Sequence, residues 1–172
     1  MKTTLKQLNA MDEADFIATV GNVFENSPWI AQRTYSKRPF DSVASLYETL
    51  VATARFSDES EKLGLIRAHP DLVGKMAREG GLTRESNAEQ GAAGLTALSP
   101  GEVEQFDRYN ALYRKRFDFP FIICARENKK DAILVAFPKR LVNTRDHELQ
   151  IALDEIARIA RLRLDDAISE DR

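Results

Sequence analysis

The stretch RDHELQIALDEIARIARLRLDDAI, from Arg145 to Ile168, admits one reading as secondary structure. Leu149, Ala152, Leu153, Ile156 and Ala160 recur at spacings of three and four, which places them on one stripe of a helix and not on one face of a strand, whose period is two. Thr144 supplies a hydroxyl that can cap the first turn. A long amphipathic helix needs an apolar layer against its stripe, and the remaining segments offer helices to provide it.

From Asp41, DSVASLYETLVATARF carries Val43, Leu46, Tyr47, Leu50, Val51 and Ala54 at the same spacings. A shorter helix is predicted in DEADFIATVGNVF, with Phe16, Val20 and Val23 inward. Ser27-Pro28 reads as an N-cap followed by proline in the first helical position. Another helix runs from about Ser57 to Arg67 and ends before Pro70, because proline disfavours helical geometry in the residue preceding it. Ser86 with Glu89, and Ser99 with Glu102, have the spacing of a capping box, the second reinforced by Pro100. FPFIICAR is continuously apolar and flanked by helices, so a buried extended segment is expected there. KKDAILVAFPKRL looks helical, with Pro138 kinking or ending it. The fold class that follows is all-α: a single-domain bundle of about seven or eight helices over residues 1–172.

The 25 basic and 27 acidic residues are interspersed and give a net charge of −2, so no basic field exists to hold a nucleic-acid backbone or an anionic membrane face. No run of about 18 apolar residues is present to span a bilayer. One cysteine cannot form an internal disulfide, and MKTTLKQLNAMDEADF lacks the apolar core of a secretory signal. A soluble protein of the cytoplasm, without nucleic-acid or membrane partners, is the expectation.

Two positions break the pattern. Arg163 stands where the stripe of the last helix calls for an apolar residue, two turns beyond Ile156, whereas Arg158 and Arg161 fall off the stripe. It is either half of a buried ion pair or a fixed guanidinium whose fork of donors binds a carboxylate or a polar planar ligand. His69, one of two histidines, stands at a predicted helix end before Pro70. A histidine there commonly serves as a dipole partner or cap, and the sharper reading is an acid–base group. Some twenty residues on, Ser86, Glu89 and Gln90 gather at a predicted helix start, where free N–H groups favour an anion. The capping box accounts for Ser86 and Glu89 but not for Gln90. Gly91 and Gly94 read as sites of close helix packing.

Other motifs fail. Two histidines and one cysteine without HExxH or paired-cysteine spacing give no zinc site, and DLVGK lacks the glycine spacing of a phosphate-binding loop. There is no GxSxG elbow, Cys124 inside FIICA reads as a small buried hydrophobe, and His147 as solvent-facing.

In order and spacing, AHPDL from Ala68, LTRESNAEQGAAGL from Leu82, FDFPFIICAR from Phe117 and IARIARLRL from Ile156 resemble the 2-oxo-4-hydroxy-4-carboxy-5-ureidoimidazoline (OHCU) decarboxylases, over about Asn9 to Ile168. These enzymes form (S)-allantoin at the end of the route from urate. The resemblance implies an all-helical enzyme with no metal or organic cofactor, OHCU as its small-molecule substrate, and a possible homodimer. It implies that His69 is the catalytic acid–base group with Glu89 as its partner. The substrate contacts it implies are Pro70, then Ser86, Asn87, Ala88, Glu89 and Gln90, then Phe121, Ile122, Ile123, Cys124 and Ala125, with main-chain groups of Ile122 and Ile123 facing the substrate, and finally Arg163. Two departures stand out: Asp118 where many members carry glycine, and Pro138 in a stretch that is usually a plain helix. The chain ends in ISEDR, without the peroxisomal tripeptide of some eukaryotic members. The competing reading is a noncatalytic helical module that senses a ureide or carboxylate, which predicts an exposed His69.

Overall fold

The computed structural model describes residues 2–171, and among them the regular structure is ten α-helices, two short 3-10 turns and one two-stranded pairing. The all-α expectation holds, with two helices more than predicted. These are α1 (Leu5–Ala10) and α6 (Lys75–Arg78), both too short for a 3.6-residue period to register. The chain forms two compact units, one from the segment up to Ala68 and the segment from Ala157 onward, the other from His69–Ile156.

The first unit holds α1, α2 (Glu13–Val20), α3 (Trp29–Tyr35), α4 (Val43–Arg55), α5 (Glu59–Arg67) and the second half of α10 (Arg145–Ala167). Two parallel strands, β1 (Thr3–Thr4) and β2 (Ile168–Ser169), close it. The predicted inward residues Phe16, Val20, Val23, Val43, Leu46, Leu50 and Ala54 are buried, and α2 and α4 each pack against α3. Burial of each large side chain stabilises the fold by about 1.5–3 kcal/mol. Asp58 and Ser42 cap α5 and α4 through reciprocal bonds with Glu61 and Ser45. Ser27 does not cap α3. Its hydroxyl donates to the Glu25 carbonyl at 2.9 Å, and Pro28 itself occupies the position before the first helical residue.

The second unit holds α6, α7 (Arg84–Ala92), α8 (Pro100–Phe117), α9 (Lys130–Leu141) and the start of α10, where the Thr144 hydroxyl accepts from the His147 N–H at 3.3 Å, as expected of a cap. Its core is aromatic: Phe121 stacks on Phe137 with ring centroids 3.9 Å apart, and Tyr113 meets Phe117, Phe119 and Phe121. Of the segment FPFIICAR, expected to be extended, residues 119–124 lie in no helix or strand and Cys124 is extended, whereas Ala125 and Arg126 enter a 3-10 turn. Pro138 does not end α9. It sits exposed inside the helix, so the Leu134 carbonyl that loses its amide partner falls on the solvent-facing side, where water can serve it. Asp118 ends α8 in the left-handed conformation (φ 65°, ψ 23°), a backbone geometry that glycine adopts without a Cβ penalty.

Candidate active site

His69 follows α5 by two residues and is 6% exposed, so its imidazole is neither a solvated dipole partner nor an open surface group. Side chains from two helices hold the loop behind it. Arg114 Nε lies 2.9 Å from both carboxylate oxygens of Asp71, Asn110 Nδ2 donates to the Leu72 carbonyl at 2.8 Å, and the Val73 N–H donates to Gln90 Oε1 at 3.0 Å. Val73 has φ 58°, an outlying conformation for a β-branched residue. Gly74 closes the turn by donating to the Asp71 carbonyl at 3.2 Å, and a Cβ there would lie 2.8 Å from Asp71 Cβ. The glycine of DLVGK therefore serves a tight turn.

Helix α7 begins earlier than predicted. Thr83 is its cap, accepting from the Ser86 N–H at 3.2 Å, so Ser86 and Glu89 lie inside the helix and form no capping box. Residues 86–90 consequently offer side chains and not free helix-start amides. Ser86 and Gln90 are buried one turn apart, Glu89 between them is half-buried, and Asn87 and Ala88 are exposed. The Val73 N–H occupies the Gln90 oxygen and so fixes which way the carboxamide points, leaving its NH2 as the donor for any ligand. Gly91 and Gly94 do not mark close packing. Gly94 (φ 81°) ends α7 in a Schellman arrangement, with Leu95 N–H donating to the Gln90 carbonyl and Gly94 N–H to that of Gly91, both at 3.0 Å. A cavity of about 290 Å3 beside α7 is lined by Val73, Arg78, Asn87, Gln90, Leu95 and Val103, among others.

Helix α7 packs against the 3-10 turn Ala125–Glu127, the turn into which the apolar segment from Phe121 leads. That segment is anchored along its backbone. Arg140 donates to the Ile122 carbonyl, Glu155 Oε2 accepts from the Cys124 N–H at 2.8 Å, and Asn128 Nδ2 donates to the Cys124 carbonyl at 3.0 Å. Arg140 is in turn held by Glu148, fully buried and 2.8 Å away, whose carboxylate also accepts from the Tyr113 hydroxyl and from Asn143 Nδ2. The Ile122 carbonyl keeps a second lone pair beside its bond from Arg140, so that bond does not remove it as an acceptor. Cys124 is 0% exposed, and burial, aided by the Glu127 carboxylate, pushes its thiol up to about 11, which suits the inert hydrophobe expected.

The stripe of α10 is buried as predicted, Leu149, Ala152, Leu153, Ile156 and Ala160 included, and Arg163 is buried with it. In the first unit its guanidinium meets Glu25 Oε2 at 2.8 Å and the Asn22 carbonyl at 3.3 Å. The ion-pair reading of Arg163 is thus realised, with a partner that no sequence motif announces. His147 is exposed, as expected. Among the described residues no group of three or more His, Cys, Asp or Glu is placed to hold a metal ion, and no helix is long and apolar enough to cross a membrane.

Comparison with known proteins gives this arrangement its context. The sequence model of the OHCU decarboxylase family matches residues 9–165. A 2-oxo-4-hydroxy-4-carboxy-5-ureidoimidazoline decarboxylase of Amia calva is 40% identical over 95% of this chain and 94% of its own length. One from Haloferax volcanii is 38% identical over 98% of both. A crystal structure of (S)-allantoin synthase superposes with a TM-score of 0.79 at 26% identity, over 97% of this chain and 54% of that one. The fold and these likenesses define a helical decarboxylase class. The chain belongs to the OHCU decarboxylase family.

Proposed function

We propose that the chain is a carboxy-lyase that converts OHCU to (S)-allantoin in urate degradation, with no metal or organic cofactor. The observation that carries this reading is the near full-length likeness to OHCU decarboxylases. The burial of His69 supports it over a sensing module, for which an exposed imidazole is expected. Since one family model spans both units, residues 1–172 are treated as a single functional domain. The proposal extends to a cytoplasmic homodimer, which cell fractionation and light scattering test.

The substrate carries its carboxylate and hydroxyl on one ring carbon, next to an imine carbon that bears the ureido group. When the bond to CO2 breaks, its electron pair forms a carbon–carbon double bond to that neighbour, and the imine pair moves onto nitrogen. Protonation of the ureido-bearing carbon and of that ring nitrogen, with loss of the hydroxyl proton to give a ring carbonyl, yields allantoin with a net uptake of one proton. The ring is its own electron sink, so the protein has to supply orientation, charge placement and a proton to one face. His69, with Glu89, acts as the acid–base group and delivers that proton. Gln90 and the Ile122 N–H donate to substrate oxygens, Ser86 and Pro70 line the reacting end, and Arg163, which its pair with Glu25 holds in place, also takes the role the family resemblance implies, binding polar ring or ureido oxygens.

The test generates OHCU in place by oxidising urate and hydrolysing the first product enzymatically, then follows allantoin by circular dichroism. Rapid formation of the S enantiomer is expected, and a positioned acid–base group makes His69→Ala slower by about 10²–10⁴. Slow, racemic allantoin at the spontaneous rate with the wild-type chain would refute the assignment.

A further inference from the structure

The buried face of α8 is formed by Phe106, Asn110, Tyr113 and Phe117, at helical spacings at which only Asn110 is not aromatic. Asn110 is 6% exposed and spends its Nδ2 on the Leu72 carbonyl, while its Oδ1 is buried and accepts from no donor among the described residues. A leucine would remove the unmet Oδ1 but strand the buried Leu72 carbonyl, so the one bond that justifies an asparagine here is the bond to that carbonyl. What the asparagine contributes is a grip on the backbone three residues past His69. Pro70 fixes its own φ, and Asp71, Leu72 and Val73 are each held by a side chain of α7 or α8, with Val73 in a conformation that needs such holding.

We infer that Asn110 is a positioning residue for His69: its bond to the Leu72 carbonyl sets the loop from which the imidazole enters the site. The inference rests on the reading of His69 as the acid–base group. Asn110 touches no reacting atom, and its effect runs through the backbone of residues 70–72. A displaced acid–base group slows the proton transfer and leaves ground-state binding of the substrate nearly intact.

The experiment compares full-length Asn110→Leu, Asn110→Asp and His69→Ala with wild type, measuring kcat, KM, inhibition by (S)-allantoin and thermal unfolding. Asn110→Leu is expected to lower kcat by about 10–100-fold with KM and allantoin inhibition within about twofold, and with an unfolding temperature lowered by the stranded Leu72 carbonyl but still above that of the assay, so that the protein measured is folded. Asn110→Asp, nearly isosteric but without the donor when ionised, is expected to show the same kcat loss and covers the case in which the leucine variant does not fold. Wild-type kcat in a folded Asn110 variant, with His69→Ala inactive, overturns the positioning role and leaves His69 in place. A fall in activity that only tracks lost folded protein, or that appears in KM alone, overturns it too. Wild-type turnover by His69→Ala instead removes the reading on which the inference stands.

Discussion

Arg163 and Glu25 form a salt bridge of 2.8 Å, with 6% and 1% of their side chains exposed. Two charges so far from water are held by each other, and removing either strands its partner. Arg163→Met should therefore cost about 3–5 kcal/mol in urea unfolding, although the thioether keeps an apolar stem. The double variant Glu25→Leu, Arg163→Met should recover most of that loss while substrate turnover stays impaired. Additive losses in the two single variants would contradict the pairing as the source of the cost.

Gln90 has two duties that one substitution can separate. Gln90→Leu leaves the buried Val73 N–H unmet and should cost about 1–3 kcal/mol of stability. Gln90→Glu keeps an oxygen for that N–H but presents a carboxylate in place of the NH2 donor. KM should then rise about tenfold or more with little change in unfolding, because a donor has become an acceptor facing substrate oxygens. Steady-state kinetics beside a melting curve separates the two.

Asp118 holds a left-handed conformation at the end of α8, and Asp118→Gly should raise stability by up to about 1 kcal/mol, the gain being trimmed by the greater freedom of glycine in the unfolded chain. Asp118→Val, β-branched, should lower it by about 1–2 kcal/mol. Denaturant midpoints at constant slope would show both.

Glu102 starts α8, and its bonds from the Lys130 ammonium and from the Ser99 N–H bring its carboxyl down to about 2 from an ordinary 4.5. A lowered folded-state pKa stabilises fully above the unfolded value and is lost as pH falls through the folded one. Glu102→Gln should thus flatten the acid limb of the stability profile between about pH 4.5 and 2, with little change in its shape above pH 5. Thermal unfolding at stepped pH is the measurement.

Periodicity made the helices legible because burial repeats along each of them. The stripe of α10 also exposed Arg163 as a foreign residue, and the same test applied to α8 would have found Asn110 between Phe106 and Tyr113. The start of α7 lies before the Ser86–Glu89 spacing predicts because Thr83, with no glutamate three residues on, caps the helix through its hydroxyl alone. Val73 gave no local signal, since a valine with positive φ is imposed by its tertiary partners and not by its own preference. Glu25 was equally silent, because an acidic residue looks the same in sequence whether it meets water or a buried arginine.

The pairing of Thr3–Thr4 with Ile168–Ser169 joins the two ends of the first unit, and two neighbouring carboxylates complete it. Glu170 accepts from the Val43 N–H at the start of α4, at 2.8 Å, and Asp171 from the Lys6 N–H in α1, at 2.9 Å. On the ribosome, α1 and α4 emerge long before those carboxylates exist, and all of His69–Ile156 is translated in between. The unit whose sequence is made first is therefore completed last: Thr4 and Ser42 cap α1 and α4 locally, but the Lys6 and Val43 amides wait for the carboxylates of Asp171 and Glu170.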